Sequence, residues 1–393
     1  MSQRNSVRLS DVATQGQYGL NAAAMKEGQG VRFVRITDID ERCELRSDGA
    51  ACVPASTENL ASYILEPGDL LIARSGATAG KSLLFRGLDE PAVFAGYLIR
   101  FKLDTSKALP DYVGYFFKSS IYWNYINTTK RAAAQPNINA KELASLPIPL
   151  PPLPEQRRIV DLLSRAEGIV RLRREAEKKA AELIPALFLD MFGDPATNPK
   201  GWPIQSLKNL VSFVSGGTPS KSREDFWEGD LPWVSPKDMK RVGIDSAFDH
   251  VNRKVLTETA IKLIPVGSVL VVVRGMILVH TVPVAQSLVP MTINQDMKAL
   301  VPIQSVNGTY LLWSLRVRQG QLLSLVTTAA HGTKKMETER LEAFSISLPP
   351  LAAQEDFAGK LASIESIQSQ QSAATAKAQA TFDALLAQAL AAD

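Results

Sequence analysis

The stretch RSGATAGKS, from Arg74 to Ser82, contains the residue types of a phosphate-binding loop and follows the apolar run DLLIA, which predicts a buried strand. A nucleotide-binding P-loop needs G-x-x-x-x-G-K-[ST] running into a helix, because backbone amides and the helix N-terminus surround the phosphates. Here Gly76 to Gly80 is one residue short, Ser75 stands where the first glycine is required, and LLF follows instead of a helical pattern. The sequence therefore argues against a nucleotide-hydrolysing site.

The same loop fits a strand-ending turn that approaches nucleic acid. Arginine, lysine and backbone amides contact phosphates or base edges there, and glycine lets the backbone come close. A plain surface turn is the alternative. The candidate residues are Arg74, Ser75, Gly76, Thr78 and Lys81, with Arg274, His280 and Thr281 in the later segment RGMILVHT.

Two further segments, TTKRAAAQPNINAKEL and TTAAHGTKKMETERL, place lysine or arginine and small polar residues just before a domain closes. Asparagine and glutamine suit adenine, and arginine or lysine suits guanine. Ordinary solvated charge is the alternative. The candidates are Lys130, Arg131, Gln135 and Asn137 in the first segment and His331, Lys334 and Lys335 in the second.

A glycine-rich and lysine-rich segment, SGGTPSKSREDFWEGDLPWVSPKDMK, predicts a third polar loop. We interpret Trp227 and Trp233 as anchors of this loop rather than as stacking platforms, because large aromatic residues beside proline and glycine usually fix loops. The candidate contacts are Gly217, Thr218, Ser220, Ser235, Lys237 and Lys240.

Composition limits the classes of function that need considering. The 393 residues are enough for two or three domains, and the net charge of +4 permits a polyanionic partner without demanding one. We expect a cytoplasmic protein, since we find neither an apolar leader nor a membrane-length apolar run. Two cysteines and three histidines without metal-ligand spacing predict no metal site. No methyltransferase, metalloprotease or hydrolase signature is present, so we expect a chain that is not an enzyme.

An internal repeat organises the chain. LPIPLPPLPEQ, which ends at Gln156, returns as FSISLPPLAAQ, which ends at Gln354, 198 residues later. The same shift links EPGDLLIA to IPVGSVLVV and PDYVGYFF to GTYLLWSL. Each copy alternates short apolar runs with turns and adds one or two short aromatic helices, which predicts a β-rich α+β domain.

A long helix with coiled-coil spacing follows each domain, and we predict that the two helices pair. Pro185 is expected to kink or end the first helix nearby. The predicted pairing residues are Ile159, Leu162, Ala166, Ile169, Leu183 and Leu187 in the first helix, and Phe357, Leu361, Ile364, Phe382 and Leu385 in the second.

The ordered set of LPIPLPPLPEQRRIVDLLSRAE, FGDPATNPKGWPIQSLKNLV, SGGTPSKSREDFWEGDLPWVSPKDM and EPGDLLIARSGATAGK resembles the specificity subunit of type I restriction-modification systems over nearly the whole chain. The resemblance implies a non-catalytic reader of double-stranded DNA with two target recognition domains, each reading half of a split asymmetric site. It also implies two helices that set the spacing and dock two modification subunits, with restriction subunits in the full complex. The cofactors belong to those partners: S-adenosylmethionine to the modification subunits, ATP and Mg²⁺ to the restriction subunits.

We therefore predict an α+β fold with two β-rich target recognition domains in tandem repeat and two long helices forming an antiparallel coiled coil with pseudo-twofold symmetry. The predicted boundaries are 1–152 for the first domain, 153–190 for the central helix, 191–350 for the second domain and 351–393 for the distal helix. A coiled-coil scaffold whose globular ends bind other proteins, without sequence-specific DNA binding, remains the alternative.

Overall fold

The computed structural model describes residues 6–26, 30–46, 48–131, 137–328 and 332–391. The chain divides into two compact units: the first comprises Met1–Glu175 and Ala373–Asp393, and the second comprises Ala176–Ser372. Within the described ranges, no helix combines the length and the apolar character that crossing a membrane requires.

The first unit contains short strands and helices in the order that the apolar runs predict. The strands are β1 (Ser6–Arg8), β2 (Gln17–Tyr18), β3 (Met25–Lys26), β4 (Val31–Val34), β5 (Ala51–Val53), β6 (Leu70–Ala73), β7 (Ser82–Leu84), β8 (Ala92–Phe94), β9 (Leu98–Phe101) and β10 (Pro147–Pro149). The helices are α1 (Leu9–Val12), α2 (Pro110–Phe116), α3 (Ser120–Arg131), α4 (Ala140–Ala144) and α5 (Leu153–Phe192), the last of which continues into the second unit.

Two sheets form the body of this unit. One is antiparallel with strand order β2-β9-β6-β7, and the other has order β3-β5-β4-β8 with a parallel β4–β8 pair. β1 pairs with β10, so the start of the domain is tied to the residues just before α5. Strand β6 is buried along its whole length, which explains its continuous apolar sequence. Strand β9 is equally buried and includes Arg100, whose guanidinium pairs with the buried Asp69 over 3.4 Å.

The second unit repeats this series of elements. Its strands are β11 (Ile204–Ser206), β12 (Val211–Ser215), β13 (Leu231–Val234), β14 (Gly243–Ile244), β15 (Asp249–Val251), β16 (Val269–Val272), β17 (Val284–Ser287), β18 (Thr292–Ile293), β19 (Met297–Pro302), β20 (Val326–Thr328), β21 (Lys334–Met336) and β22 (Ser345–Ser347). Its helices are α6 (Val255–Glu258), α7 (Gly308–Arg316), α8 (Gln319–Ser324), α9 (Thr338–Ala343) and α10 (Leu351–Leu390), which continues into the first unit.

Strand order shows that the repeat is structural. The sheet β12-β19-β16-β17 reproduces β2-β9-β6-β7 and adds β14 at its edge, and β11 pairs with β22 as β1 pairs with β10. β13 pairs antiparallel with β15 and parallel with β18, as β4 does with β5 and β8. The hairpin of β20 and β21 belongs to the second unit. The repeated β-rich α+β domain predicted from the sequence is confirmed.

The two long helices contribute one half each to both units. In the first unit, Ile159 and Leu163 of α5 share a buried cluster with Phe382 and Leu386 of α10. In the second unit, Phe188 of α5 packs edge-on against Phe357 of α10, with ring centroids 5.4 Å apart.

Helix α10 runs antiparallel to α5 within the second unit. The Gln368 side chain donates to the backbone oxygen of Ala180 over 2.6 Å, whereas Phe188, further along α5, meets the earlier residue Phe357. Pro185 lies inside α5, which continues to Phe192, so this proline does not end the helix.

The helix face predicted for α5 requires correction. Leu162, Ile169 and Leu183 are 38, 52 and 53% exposed, so they do not belong to the buried interface. The side chains buried instead are mostly one residue further on: Leu163, Val170, Ile184 and Phe188. The assumed spacing placed these three positions one residue too early, and one residue rotates a helix position by about 100°. The remaining predicted positions are buried or partly buried: Ile159, Ala166, Leu187, Phe357, Leu361, Ile364, Phe382 and Leu385.

Candidate nucleic-acid interface

The loop that suggested a phosphate cradle joins two strands of the first unit. It closes on itself, since the Gly80 N–H donates to the Ala73 oxygen over 2.7 Å and the Lys81 N–H to the Thr78 oxygen over 2.9 Å. Strand β7 begins directly after it at Ser82. A P-loop opens a helix at this point, and the geometry therefore supports the prediction that this loop is not a nucleotide site.

Two segments that the sequence singled out separately lie together in this unit. Ser75 and Asn137 form an antiparallel bridge, and the Ile138 N–H donates to the Arg74 oxygen over 2.8 Å. The loop after β6 and the segment before α4 therefore present one continuous surface. Gly76 is exposed at its tip with a φ of +73°, and the partly exposed Thr78 directs its hydroxyl to the Ser75 oxygen.

Lys81 does not lie on this surface. Its side chain is buried, with Nζ donating to the Ile39 oxygen over 3.1 Å and pairing with Glu41 over 2.8 Å. The expectation that Lys81 contacts DNA phosphate is therefore not supported, because this ammonium already has internal partners. Lys130 and Arg131 end α3 but their side chains lie outside the described part of the structure, as does Gln135.

Two tyrosines that the sequence pattern did not single out lie beside Arg74. The Arg74 guanidinium lies 5.0 Å from the ring centroid of Tyr18 and 5.9 Å from that of Tyr97. Tyr97 is 61% exposed, because it occupies the turn between β8 and β9. An aromatic residue directly after the glycine of a tight turn was the available signal.

The second unit has a matching bridge. Arg274 pairs antiparallel with Lys335, and the Gly275 N–H donates to the Lys334 oxygen over 3.0 Å. Arg274 is exposed, whereas Lys335 pairs with Glu337 over 2.6 Å and Lys334 donates to the Thr328 hydroxyl over 2.7 Å. This bridge brings together the segments of RGMILVHT and GTKKM; His331 lies outside the described residues.

An apolar 3₁₀ turn, Met276–Val279, continues this loop. Met276 is 63% exposed and Ile277 42%, which suits contact with thymine methyl groups better than contact with phosphate. His280 after the turn is exposed, and Thr281 accepts a hydrogen bond from the Gln319 side chain.

The two tryptophans hold the glycine-rich loop of this unit, as predicted. Their rings meet edge-on with centroids 5.2 Å apart, the Trp233 N–H donates to the Gly217 oxygen over 2.9 Å, and the Trp227 N–H donates to the Ser220 oxygen over 3.2 Å. Thr218 is exposed and bonds the Gln295 side chain, while the Ser220 hydroxyl lies 2.8 Å from that of Ser222.

The residues after β13 fall into two groups. Ser235 is buried and its hydroxyl donates to Asp238 over 2.9 Å, so its role is to cap a 3₁₀ turn. Lys237 and Lys240 are exposed; Asp249 lies 2.7 Å from Lys237 and raises the pKa of this lysine through their hydrogen bond. The sequence pattern did not indicate this capping role, which leaves the Ser235 hydroxyl engaged within the protein.

A cavity in the second unit is lined by several cationic side chains. Two of them, Lys237 and Lys240, were predicted from the sequence, as was the neighbouring Thr281, whereas Arg316 was not. Burial lowers the pKa of Arg316, whose guanidinium donates to the Val284 oxygen over 2.9 Å. Among the described residues that line this cavity, none is an aspartate or a glutamate. A cationic hollow of this kind attracts an anion such as a phosphodiester.

These observations define a class: a two-unit protein whose repeated domains each carry a bridged polar loop suited to nucleic acid, with two long helices that contribute to both units. Residues 1–182 and 199–376 match the family model of the type I restriction modification DNA specificity domain. The chain therefore belongs to the type I restriction-modification DNA specificity family, which confirms the resemblance found in its sequence.

Similar proteins agree with this assignment. The EcoR124I/EcoR124II specificity subunit of Escherichia coli is 29% identical over 260 residues, which are 64% of this chain and 62% of the relative's length. A putative MjaX specificity subunit of Methanocaldococcus jannaschii is 25% identical over 386 residues, 91% of this chain and 86% of that protein.

Two solved structures share the fold. A chain from a type I R-M system solved in a study of complex assembly matches with a TM-score of 0.65 at 19% identity, covering 99% of this chain and 98% of that chain. The S subunit of a type I restriction-modification system from M. genitalium matches with a TM-score of 0.56 at 12% identity, covering 100% and 99% of the two chains.

Proposed function

We propose that this chain is the DNA-recognising subunit of a type I restriction-modification complex and that it catalyses no reaction itself. Each unit reads one half of a split, asymmetric sequence in double-stranded DNA. The methylation of adenine N6, which uses S-adenosylmethionine, and the ATP- and Mg²⁺-dependent restriction steps belong to partner subunits.

The observation that carries this proposal is the repeated bridge. Ser75 with Asn137 in the first unit, and Arg274 with Lys335 in the second, join a strand-ending loop to the segment that closes the domain. Both bridges place polar or cationic residues at a surface where the backbone is fixed by hydrogen bonds. A fixed backbone that presents variable side chains is what recognition of base edges requires.

The two bridged surfaces share a backbone and differ in side chains. The first has Ser75 and Asn137, and the second has Arg274 and Lys335, followed by the exposed Met276. Different side chains on the same frame contact different base edges, because each base pair shows its own pattern of donors, acceptors and methyl groups in the major groove. An asymmetric DNA site follows.

The long helices support partner subunits. Leu162, Ile169 and Leu172 of α5 are 38, 52 and 59% exposed in the first unit. Leu183, Leu189 and Ile367 are similarly exposed in the second unit. Apolar side chains left exposed on a helix suit contact with another protein, and we assign these positions to two modification subunits, with restriction subunits completing the assembly.

Mapping of N6-methyladenine tests the proposal. DNA from cells that co-express this chain and its modification subunit is compared with DNA from cells that lack only this chain. We expect a motif of two different short blocks separated by a fixed unspecified spacer, present only with this chain. Methylation that does not depend on the chain, or a continuous palindromic motif, would reject the proposal in favour of a protein scaffold without DNA specificity.

A further inference from the structure

The surroundings of Arg74 differ between the two units in a way that points to one base. In the first unit, the Arg74 N–H donates to the Tyr97 oxygen over 3.0 Å, and the Arg74 oxygen accepts from the Ile138 N–H over 2.8 Å. These two hydrogen bonds fix the backbone of Arg74 between the β8–β9 turn and the segment before α4. The side chain therefore starts from a rigid position.

The same two hydrogen bonds exist in the second unit around another residue. The Val273 N–H donates to the Asp296 oxygen and the Val273 oxygen accepts from the Met336 N–H, both over 2.8 Å. Val273 is thus the equivalent of Arg74, and Asp296 is the equivalent of Tyr97. Because this residue is a buried valine, the equivalent position carries no cation in the second unit.

Strand register identifies the third member of the set. Tyr18 pairs with Ile99 at the end of β2, and Ser215 pairs with Lys298 at the end of β12. The Ser215 hydroxyl accepts a hydrogen bond from the Lys298 side chain over 2.7 Å, so its partner is a lysine on the neighbouring strand, whereas the partner of Tyr18 is Arg74. The group Tyr18, Arg74 and Tyr97 belongs to the first unit alone.

The two rings position the guanidinium. Tyr18 and Tyr97 place their ring centroids 5.0 and 5.9 Å from Arg74, within the range of cation–π attraction. Tyr18 is itself held, because its hydroxyl accepts from the Ala140 N–H over 3.2 Å. Stacking on aromatic faces leaves the planar fork of an arginine free to donate in its own plane.

The cavity next to Arg74 is open and free of negative charge. Its wall includes both tyrosines, and its charged side chains within the described residues are Arg35 and Arg74. Arg35 is committed to Asp38, which lies 2.9 Å away. Arg74 is therefore the cation available to a ligand here. A bidentate arginine to O6 and N7 of guanine is the commonest specific contact in the major groove.

We propose that Arg74 reads a guanine in the half-site recognised by the first unit, with Tyr18 and Tyr97 as its positioning residues. This inference rests on the proposed function and adds one base to it. The second unit, with Ser215, Val273 and Asp296 at the equivalent positions, reads no guanine in this way.

Methylation mapping with Arg74→Ala provides the first test, with Arg274→Ala as the matched control in the second unit. We expect Arg74→Ala to relax one position, from guanine to mixed bases, in one half-site while the other half-site and the spacer stay unchanged. Arg274→Ala must leave that guanine intact. A uniform loss of methylation with the motif unchanged would assign Arg74 to a phosphate and overturn the proposal, although the bipartite motif of the wild type would still support the function.

A binding measurement covers the case in which Arg74→Ala methylates nothing. The full chain with its modification subunits binds an oligonucleotide that carries guanine or 7-deazaguanine, which lacks the N7 acceptor, at the assigned position. We expect the wild type to lose about tenfold in affinity with 7-deazaguanine, and Arg74→Ala to show no difference between the two oligonucleotides. An equal loss in both proteins would sink the idea.

Variants of Tyr97 separate positioning from a general structural role. Tyr97→Phe keeps the aromatic face and should retain the guanine, whereas Tyr97→Ala should relax the same position as Arg74→Ala. Because the Tyr97 side chain is 61% exposed, its removal should leave the fold intact, so such a result would reflect a change in specificity. Equal specificity in Tyr97→Ala and the wild type would remove Tyr97 from the proposal.

Discussion

Gln156 and Gln354 lie 198 residues apart and make the same hydrogen bonds with fully buried side chains. Each carboxamide oxygen accepts from the backbone N–H just before a short helix. Each amide nitrogen donates to two carbonyl oxygens, one of which belongs to a proline in the segment just before the long helix. The partners are Leu109 N, Lys107 O and Pro151 O for Gln156, and Asn307 N, Ser305 O and Pro349 O for Gln354, at 2.8 to 3.3 Å. These glutamines tie the start of each long helix to the domain before it.

Gln156→Leu and Gln354→Leu should each lower the free energy of unfolding by about 2–4 kcal/mol, because the backbone groups left behind are buried and unpaired. Urea unfolding followed by circular dichroism measures this loss. Gln388→Leu on the exposed side of α10 is the control and should change stability by less than about 0.5 kcal/mol. A loss in the control equal to that in the buried variants would contradict the role of the hydrogen bonds.

Leu162 and Leu163 test which face of α5 is buried. Leu163 is fully buried and Leu162 is 38% exposed. Leu163→Ala should therefore cost about 2–5 kcal/mol through lost burial and the cavity left behind, while Leu162→Ala should stay within about 0.5 kcal/mol of the wild type. The melting temperatures of the two variants give the comparison directly. The reverse order would restore the heptad register expected from the sequence.

Substitutions of Lys81 and Lys240 distinguish a cation with internal partners from an exposed cation that can reach DNA. Lys240→Met should reduce the slope of log affinity against log salt concentration by about 0.9, the effect of one phosphate contact, with little change in stability. Lys81→Met should leave this slope unchanged and destabilise the first unit, because the Ile39 oxygen and Glu41 lose their partner. Fluorescence anisotropy over a salt series measures both slopes. A smaller slope in Lys81→Met would show that this lysine leaves its internal partners to contact DNA.

Gly76 and Gly80 sit in the same loop with different surroundings. Both have positive φ angles, +73° and +92°, but a Cβ on Gly76 would meet nothing within 4 Å, whereas a Cβ on Gly80 would lie 2.5 Å from Ile126. Gly76→Ala should cost about 1 kcal/mol for backbone strain, and Gly80→Ala clearly more. Chemical denaturation provides the comparison. Equal losses would mean that Ile126 moves aside without cost.

The sequence by itself determined the repeat, the order of its elements and the position of the loops. Short apolar runs and the coiled-coil spacing after LPIPLPPLPEQ depend on local geometry, so β6, β9 and the start of α5 follow from them. The glycine-rich loops were located for the same reason, since turn residues act over a few positions.

Only the tertiary structure decided which side chains reach the surface. Lys81 is buried because Ile39 and Glu41, about 40 residues earlier, lie against it. Arg74 is oriented by Tyr18 of β2 and by Tyr97 in the turn between β8 and β9. The buried face of α5 depends on where Phe357 and Phe382 of α10 meet it. Burial and partner choice arise from contacts between distant segments, and periodicity along one segment does not contain them.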